Sequence, residues 1–301
     1  MLRAFIYYLA ITTSFASLAG EPPSPANLSL WSQIGNPSNG QWNVQPSGNT
    51  VIQSVNQTAT GFVSHESFEY QVFTGRIRVD AGDDDFIGYI IGYGNGQFHV
   101  FHWKKNNQEG AIDGFHFFKV NGSLETINTC LWNHAEAPCS GISNVYHNHG
   151  GGWQAGRDYT FQIEISPDRF IAKVDGAIIF DVNEKIAKGR FGFFNASQAR
   201  VTYGDVFQQN PPIVESISTA LPMGQQKIIT GEFYDLNVTE THTCEIIGTP
   251  PHGTITLFPP CSFKYVSDPN IDGTFTLKYK VTDSSGLSNT ADLKITVKDC
   301  S

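Results

Sequence analysis

Apolar and polar residues alternate with period two along most of this chain, the spacing of strands with one face buried, and the pattern predicts no amphipathic helix. Within residues 73–80, Ile77 and Val79 fall on one face and Arg76 and Arg78 on the other. Val51-Ile52 opens an earlier strand, and residues 115–120 form a further candidate. Residues 86–93 and 98–103 are two nearly continuous apolar runs separated by Gly94-Asn95-Gly96. Asn-Gly between two such runs is the strongest short-range hairpin signal. Tyr159, Phe161, Ile163 and Ile165 share a face before the turn Ser166-Pro167-Asp168. The tight turn Asp175-Gly176 then separates residues 170–174 from 177–182, and 190–194 and 201–207 complete a meander. So many hairpins in succession predict an all-β chain built on an antiparallel sandwich or jelly roll.

Breaks in the alternation divide the 301 residues. Residues 1–20 combine Arg3, an apolar run from Ala4 to Thr12 and the small residues Ser17-Leu18-Ala19, the pattern of a signal peptide cleaved near Gly20 or Glu21. Residues 21–41 are rich in Pro, Ser and Asn and predict an N-terminal loop, from which Trp31 can dock on the domain that follows. The main domain is expected over 42–207, a stiff linker over 208–212 with Pro211-Pro212, and a second domain over 213–299. That second domain has short strands around Ile228, Ile255, Phe263, 275–281 and 291–297, enough for a small Ig-like sandwich. Regularity fails between Leu124 and Trp153, where an irregular, functional or stapled insertion is expected.

Composition narrows the class. Charged residues are 16% and aromatics 13%, with 29 glycines, a balance suited to an extracellular β fold. The formal net charge of −9 argues against nucleic acid and anionic membranes and suits cation binding. No stretch after the leader is apolar for long enough to be a transmembrane segment. Among the five cysteines, spacing favours Cys130–Cys139 and Cys244–Cys261 pairs, which leaves Cys300 for an intermolecular disulfide or a free thiol.

The acidic run Asp83, Asp84 and Asp85 is the main chemical candidate. Three adjacent carboxylates repel one another unless water, a basic partner or a metal relieves them. A loop that supplies carboxylates together with carbonyls suits Ca2+; a solvated acidic turn is the alternative. Asp268, Asn270, Asp272 and Gly273 imitate the opening of an EF-hand loop, but Tyr279 stands at the twelfth position, so a turn is expected there. His134, His147 and His149 with Cys139 invite a zinc reading that lacks a fourth ligand, and hydrogen-bonded rings are the expectation. Phe98, Phe101, Trp103, Phe117, Trp132 and Trp153 could form a sugar platform or pack a core. No strand sets two acids at alternating positions, and no G-x-S-x-G, H-E-x-x-H helix or phosphate loop occurs, so no enzyme is expected.

The segments DDDFIGYIIGYGNGQFHVFHWKK (83–105), LWNH (131–134), YHNHGGGW (146–153) and GRFGFFNASQARVTYGDVF (189–207) together resemble the thrombospondin C-terminal domain. That resemblance implies a lectin-like (concanavalin A-like) jelly-roll sandwich, calcium binding at Asp83, Asp84 and Asp85, and an extracellular role in adhesion or matrix contact. Where the family has an acidic residue after the late histidine, this chain has Asn148. Residues 265–297 resemble the cadherin-like and Ig-like repeats of surface adhesins. The expectation is a secreted, non-enzymatic, calcium-binding adhesion or matrix-type protein with an extracellular protein or glycan partner. The alternative is a carbohydrate-binding lectin module or, further off, a polysaccharide-cleaving enzyme.

Overall fold

The fold was obtained as a computed structural model that describes residues 23–94, 96–132, 139–235 and 240–299. The signal peptide expected over 1–20, Asn95 of the hairpin turn, His134 and Cys300 lie outside the described residues. The chain divides into two compact units that meet at Pro211 and Pro212.

The first unit is a two-sheet sandwich. One sheet runs in the order Ile142–His149, Gly114–Asn121, Gln97–Lys104, Phe86–Gly94, Arg190–Ala196, Thr60–Val63, Ser32–Ile34. The other runs Ala177–Val182, Arg169–Val174, Asp158–Ser166, Gln71–Val79, Val201–Gln209, Val51–Gln53, Trp42–Val44, with Ser24–Pro25 added on Val201–Gln209. All these pairings are antiparallel, and strands distant in sequence lie side by side, as in a jelly roll. The expected alternation holds in strands Gln71–Val79 and Asp158–Ser166 of the second sheet. Phe73, Ile77, Val79, Tyr159, Phe161, Ile163 and Ile165 all enter the core between the sheets.

The central strands of the first sheet are buried on both faces, which explains why they carry continuous apolar runs and not alternating ones. Phe101, Trp103 and Phe117 face the other sheet, while Phe86, Ile90, Phe98, Val100 and Phe118 face outward. Helix Leu124–Trp132 covers that outer face with Leu124, Ile127 and Leu131, which are spaced three and four residues apart on one side of the helix. Residues 124–153 therefore hold a helix and the edge strand Ile142–His149, not an irregular insertion. Nine residues give too short a period to stand out from the sequence, and the stability comes from packing on the sheet. The staple is present, since Cys130 at the helix end bonds to Cys139.

The segment 21–41 is more than a loop. Leu28 is fully buried, Ser32–Ile34 adds an edge strand, and Trp31 stacks on Phe193 at 5.2 Å. The aromatic strip serves the core. Phe98, Phe101, Phe117 and Trp153 have at most 2% of their surface exposed and Trp103 has 6%, so a sugar platform made of these rings is excluded.

The second unit packs the four-stranded sheet Ile217–Pro222, Ser288–Lys298, Gly273–Asp283, His242–Ile247 over the three-stranded sheet Gln226–Thr230, Ser262–Val266, Thr254–Phe258. Its core holds Phe263, Tyr265, Tyr279, Leu293 and Ile295, beside the Cys244–Cys261 disulfide. The EF-hand-like residues form a turn in which the Asn270 N–H donates to Asp268 Oδ1 at 2.8 Å, and Tyr279 is buried in the core.

A candidate cation site on the acidic loop

The acidic triplet links strand Gln71–Val79 of one sheet to strand Phe86–Gly94 of the other, so the two layers hold both ends of the loop. Its three side chains do not share one environment. Asp83 and Asp84 are part-exposed, whereas Asp85 has 5% of its surface exposed. Asn56 Nδ2 donates to Asp83 Oδ2, and Asn106 Nδ2 donates to Asp84 Oδ2 at 3.2 Å. Asp85 turns inward, where Lys104 Nζ donates to its Oδ1 at 2.9 Å.

Lys104 is the residue that the sequence pattern did not single out. It has no exposed surface. Its ammonium also donates to the Asp84 carbonyl at 3.2 Å and lies over the Phe86 and Trp132 rings at 4.9 and 5.3 Å. A buried cation needs such partners because desolvation alone would neutralise it. The available signal was positional: Lys104 follows Trp103 and falls on the apolar outer face with His102 and Val100.

Burial pushes the Asp85 carboxyl up to about 6, with repulsion from Asp83 and Asp84 adding to it and Lys104 opposing it. The proton is held more tightly in the fold than in the unfolded chain. Ionising Asp85 as pH rises from 3.8 through about 6 therefore removes stability. A shift of that size corresponds to about 3 kcal/mol at neutral pH.

The loop also has the donor set of a hard cation. One ligand oxygen from each of Asp83, Asp84 and Asp85 lies within 4.8 Å of the others. Oxygens bound to one calcium ion at about 2.4 Å stand up to about 5 Å apart. Gln108 closes over them: with its amide nitrogen inward it donates to Asp84 Oδ1 at 3.0 Å and to Asp85 Oδ1 at 3.2 Å, which relieves part of the carboxylate repulsion. Three carboxylates against one ammonium leave two negative charges, which suits a divalent ion.

The motif around 146–153 supports the loop from behind. Trp153 Nε1 donates to the Asp85 carbonyl at 3.1 Å, and Trp103 Nε1 donates to the Gly151 carbonyl at 3.0 Å. A Cβ on Gly152 would overlap the Lys105 carbonyl, so the chain can pass there only as glycine. Gly152→Ala is expected to lower stability by about 2 kcal/mol or more through this clash, and guanidinium unfolding measures it.

Among the described residues, the histidines do not converge with other ligands on a metal centre. His147 and His149 stack at 4.3 Å on the exposed edge strand, and Cys139 is taken by its disulfide. Among the described residues, the other convergence of such ligand atoms joins Asp235, Glu240 and His242 in the second unit. His102 is buried against His116 at 4.8 Å and Phe86 at 5.1 Å, and burial holds it well below the usual histidine range, so it packs as a neutral ring.

The first unit is thus a lectin-like jelly-roll sandwich with an acidic loop joining its two sheets. More particularly, the chain belongs to the thrombospondin C-terminal family: the Thrombospondin C-terminal region matches residues 37–210. A bacterial Ig domain matches residues 209–296. Thrombospondin-1 of Xenopus laevis is 25% identical over 190 residues, covering 55% of this chain and 16% of that protein. This chain thus spans a small part of the curated relative's length. Among solved structures, a carbohydrate-binding module, CBM66, from Bacillus subtilis is similar with a TM-score of 0.43 and 15% identity, over 60% of this chain and 96% of the other. Sheep galectin-11 in complex with glycerol is similar with a TM-score of 0.33 and 8% identity, over 52% of this chain and 100% of the other.

Proposed function

We propose that this protein is a secreted, non-catalytic, calcium-binding module of the adhesion or matrix type, with an extracellular protein or glycan as partner. The observation that carries the calcium reading is the convergence of Asp83, Asp84 and Asp85, whose ligand oxygens lie within 4.8 Å of one another. Asp83 and Asp84 would supply part-exposed carboxylates and Asp85 a buried one. Lys104 fixes Asp85 and the Asp84 carbonyl, and Trp153 fixes the Asp85 carbonyl, so the donors are held before any ion arrives. A bound calcium ion would supply the positive charge that lets all three carboxylates ionise together.

The secreted setting is supported by the leader pattern and by the two disulfides, which persist in oxidising compartments. No helix of the described residues is long and apolar enough to cross a membrane. Isothermal titration of the chelator-treated chain with calcium tests the proposal. One bound ion is expected, with affinity lost in Asp84→Asn, which keeps the shape of the side chain and removes its charge. Absence of a calcium-dependent heat in the native chain would refute it.

A further inference from the structure

The solvent face of the eight-stranded sheet carries a second candidate site, unrelated to the acidic loop. A groove of about 470 Å³ lies over strands Gln71–Val79, Asp158–Ser166 and Val201–Gln209, lined by Thr74, Arg76, Thr160, Gln162, Asp205 and Phe207 among others. That volume is in the range of small-molecule sites, about 300–1,000 Å³.

A break in the strand builds this groove. In Val201–Gln209 the buried residues Val201 and Tyr203 alternate with half-buried Thr202, so strict alternation would turn Asp205 and Phe207 into the core. The register slips between Gly204 and Phe207, and Asp205 takes φ +51°, in the left-handed region. The slip reverses the parity. Val206 is fully buried, while Asp205 is 62% exposed and the Phe207 ring is part-exposed on the groove. To bury valine and present phenylalanine is the reverse of what core packing alone selects. Bulges that re-aim side chains concentrate beside functional sites.

The walls are charge-paired. Arg76 bonds to Asp158 at 2.6 Å and to Asp205 at 3.3 Å. Glu164 accepts from Lys173 at 2.7 Å and from Gln162 at 2.8 Å. The guanidinium of Arg76 holds Asp158 below the usual carboxylate range, so that pair is ionised at neutral pH. An ionic ligand would find each charge already answered, whereas a neutral polyol finds donors and acceptors side by side. The Phe207 ring adds an apolar surface of the kind that packs on the C–H face of a pyranose.

We infer that this groove binds a neutral oligosaccharide of about two to three sugar units, with Gln162, Arg76 and Asp205 bonding its hydroxyls and Phe207 packing against a ring. The site does not use the acidic loop, so the inference stands apart from the calcium proposal.

The test uses the full chain on an array of neutral tri- and tetrasaccharides with varied linkages, followed by calorimetry on the tightest binder in calcium and in chelator. At least one neutral glycan is expected to bind. Phe207→Ala and Gln162→Ala should each weaken it by about tenfold, the loss of one packed ring or hydrogen bond in a small site. Thr160→Trp, at an exposed position in the groove, should abolish binding with the thermal melt unchanged. Chelator and Asp84→Asn should leave glycan affinity unaltered, which separates this site from the calcium proposal. Binding by no neutral glycan, by charged glycans only, or with affinity insensitive to all three groove variants would overturn the inference.

Discussion

Calcium is expected to raise the melting temperature of the first unit by about 5–10 °C at neutral pH, equivalent to about 2–3 kcal/mol for a unit of this size. The rise should shrink at pH 5. The Asp85 carboxyl, pushed up to about 6, is mostly protonated there, and an ion would first have to displace that proton. With one proton in competition, apparent affinity falls by about tenfold for each pH unit below that value. The sign follows from the direction of the shift. A raised carboxyl destabilises the ion-free fold above its folded value, and a divalent charge removes the penalty only where the carboxyl is ionised. Tryptophan fluorescence isolates the relevant unit, because all five tryptophans (31, 42, 103, 132 and 153) lie in residues 23–211. A melt unmoved by calcium, or moved equally at pH 5 and pH 7.5, would count against the assignment.

Removing Asp85 should have the largest effect on the fold. Asp85→Ala leaves the Lys104 ammonium buried against Phe86 and Trp132 without its 2.9 Å carboxylate partner. Breaking a buried pair from one side costs about 3–5 kcal/mol. Asp84→Asn, at a part-exposed position, should cost no more than about 1 kcal/mol. The pair Asp85→Leu with Lys104→Met should recover most of the stability, since two apolar side chains can replace a buried ion pair with little net loss. Denaturant unfolding of the native chain, Asp85→Leu, Lys104→Met and the double variant gives the coupling energy by double-mutant cycle. A single Asp85→Ala variant as stable as the native chain would show that Lys104 finds its partners elsewhere. The comparison also shows why Asp84→Asn is the cleaner probe of calcium: Asp85 serves fold and site together, and its removal confounds the two.

The acidic loop shows how far local pattern reaches. Three consecutive aspartates after a strand were visible as a cation candidate, and the resemblance of the surrounding segments to a known family pointed to calcium as the ion to test. The partner that relieves Asp85 was not visible. Lys104 lies nineteen residues away and reaches the loop only because Phe86–Gly94 and Gln97–Lys104 pair in a register that sets Ile87 opposite Trp103. Trp153 and Gly152 stood out as a motif, but their task of holding the Asp85 carbonyl and passing Lys105 depends on a contact between segments far apart in the chain.

Period-two alternation and the Asp-Gly turn determined the all-β class and the hairpins, because each rests on residues within a few positions of one another, and the cysteine spacing favoured the two disulfides, whose partners are 9 and 17 residues apart. The tertiary structure alone decided which faces are dry. It packed the second sheet against Phe101, Trp103, Phe117 and Trp153, laid a nine-residue helix over the outer face that holds Phe98, and so turned the aromatic strip from a possible platform into core. It also reversed the parity of Val201–Gln209 at a bulge, exposing Asp205 and Phe207 where alternation alone would have buried them. Burial and register are properties of neighbours across sheets, and a residue's neighbours along the chain do not specify them.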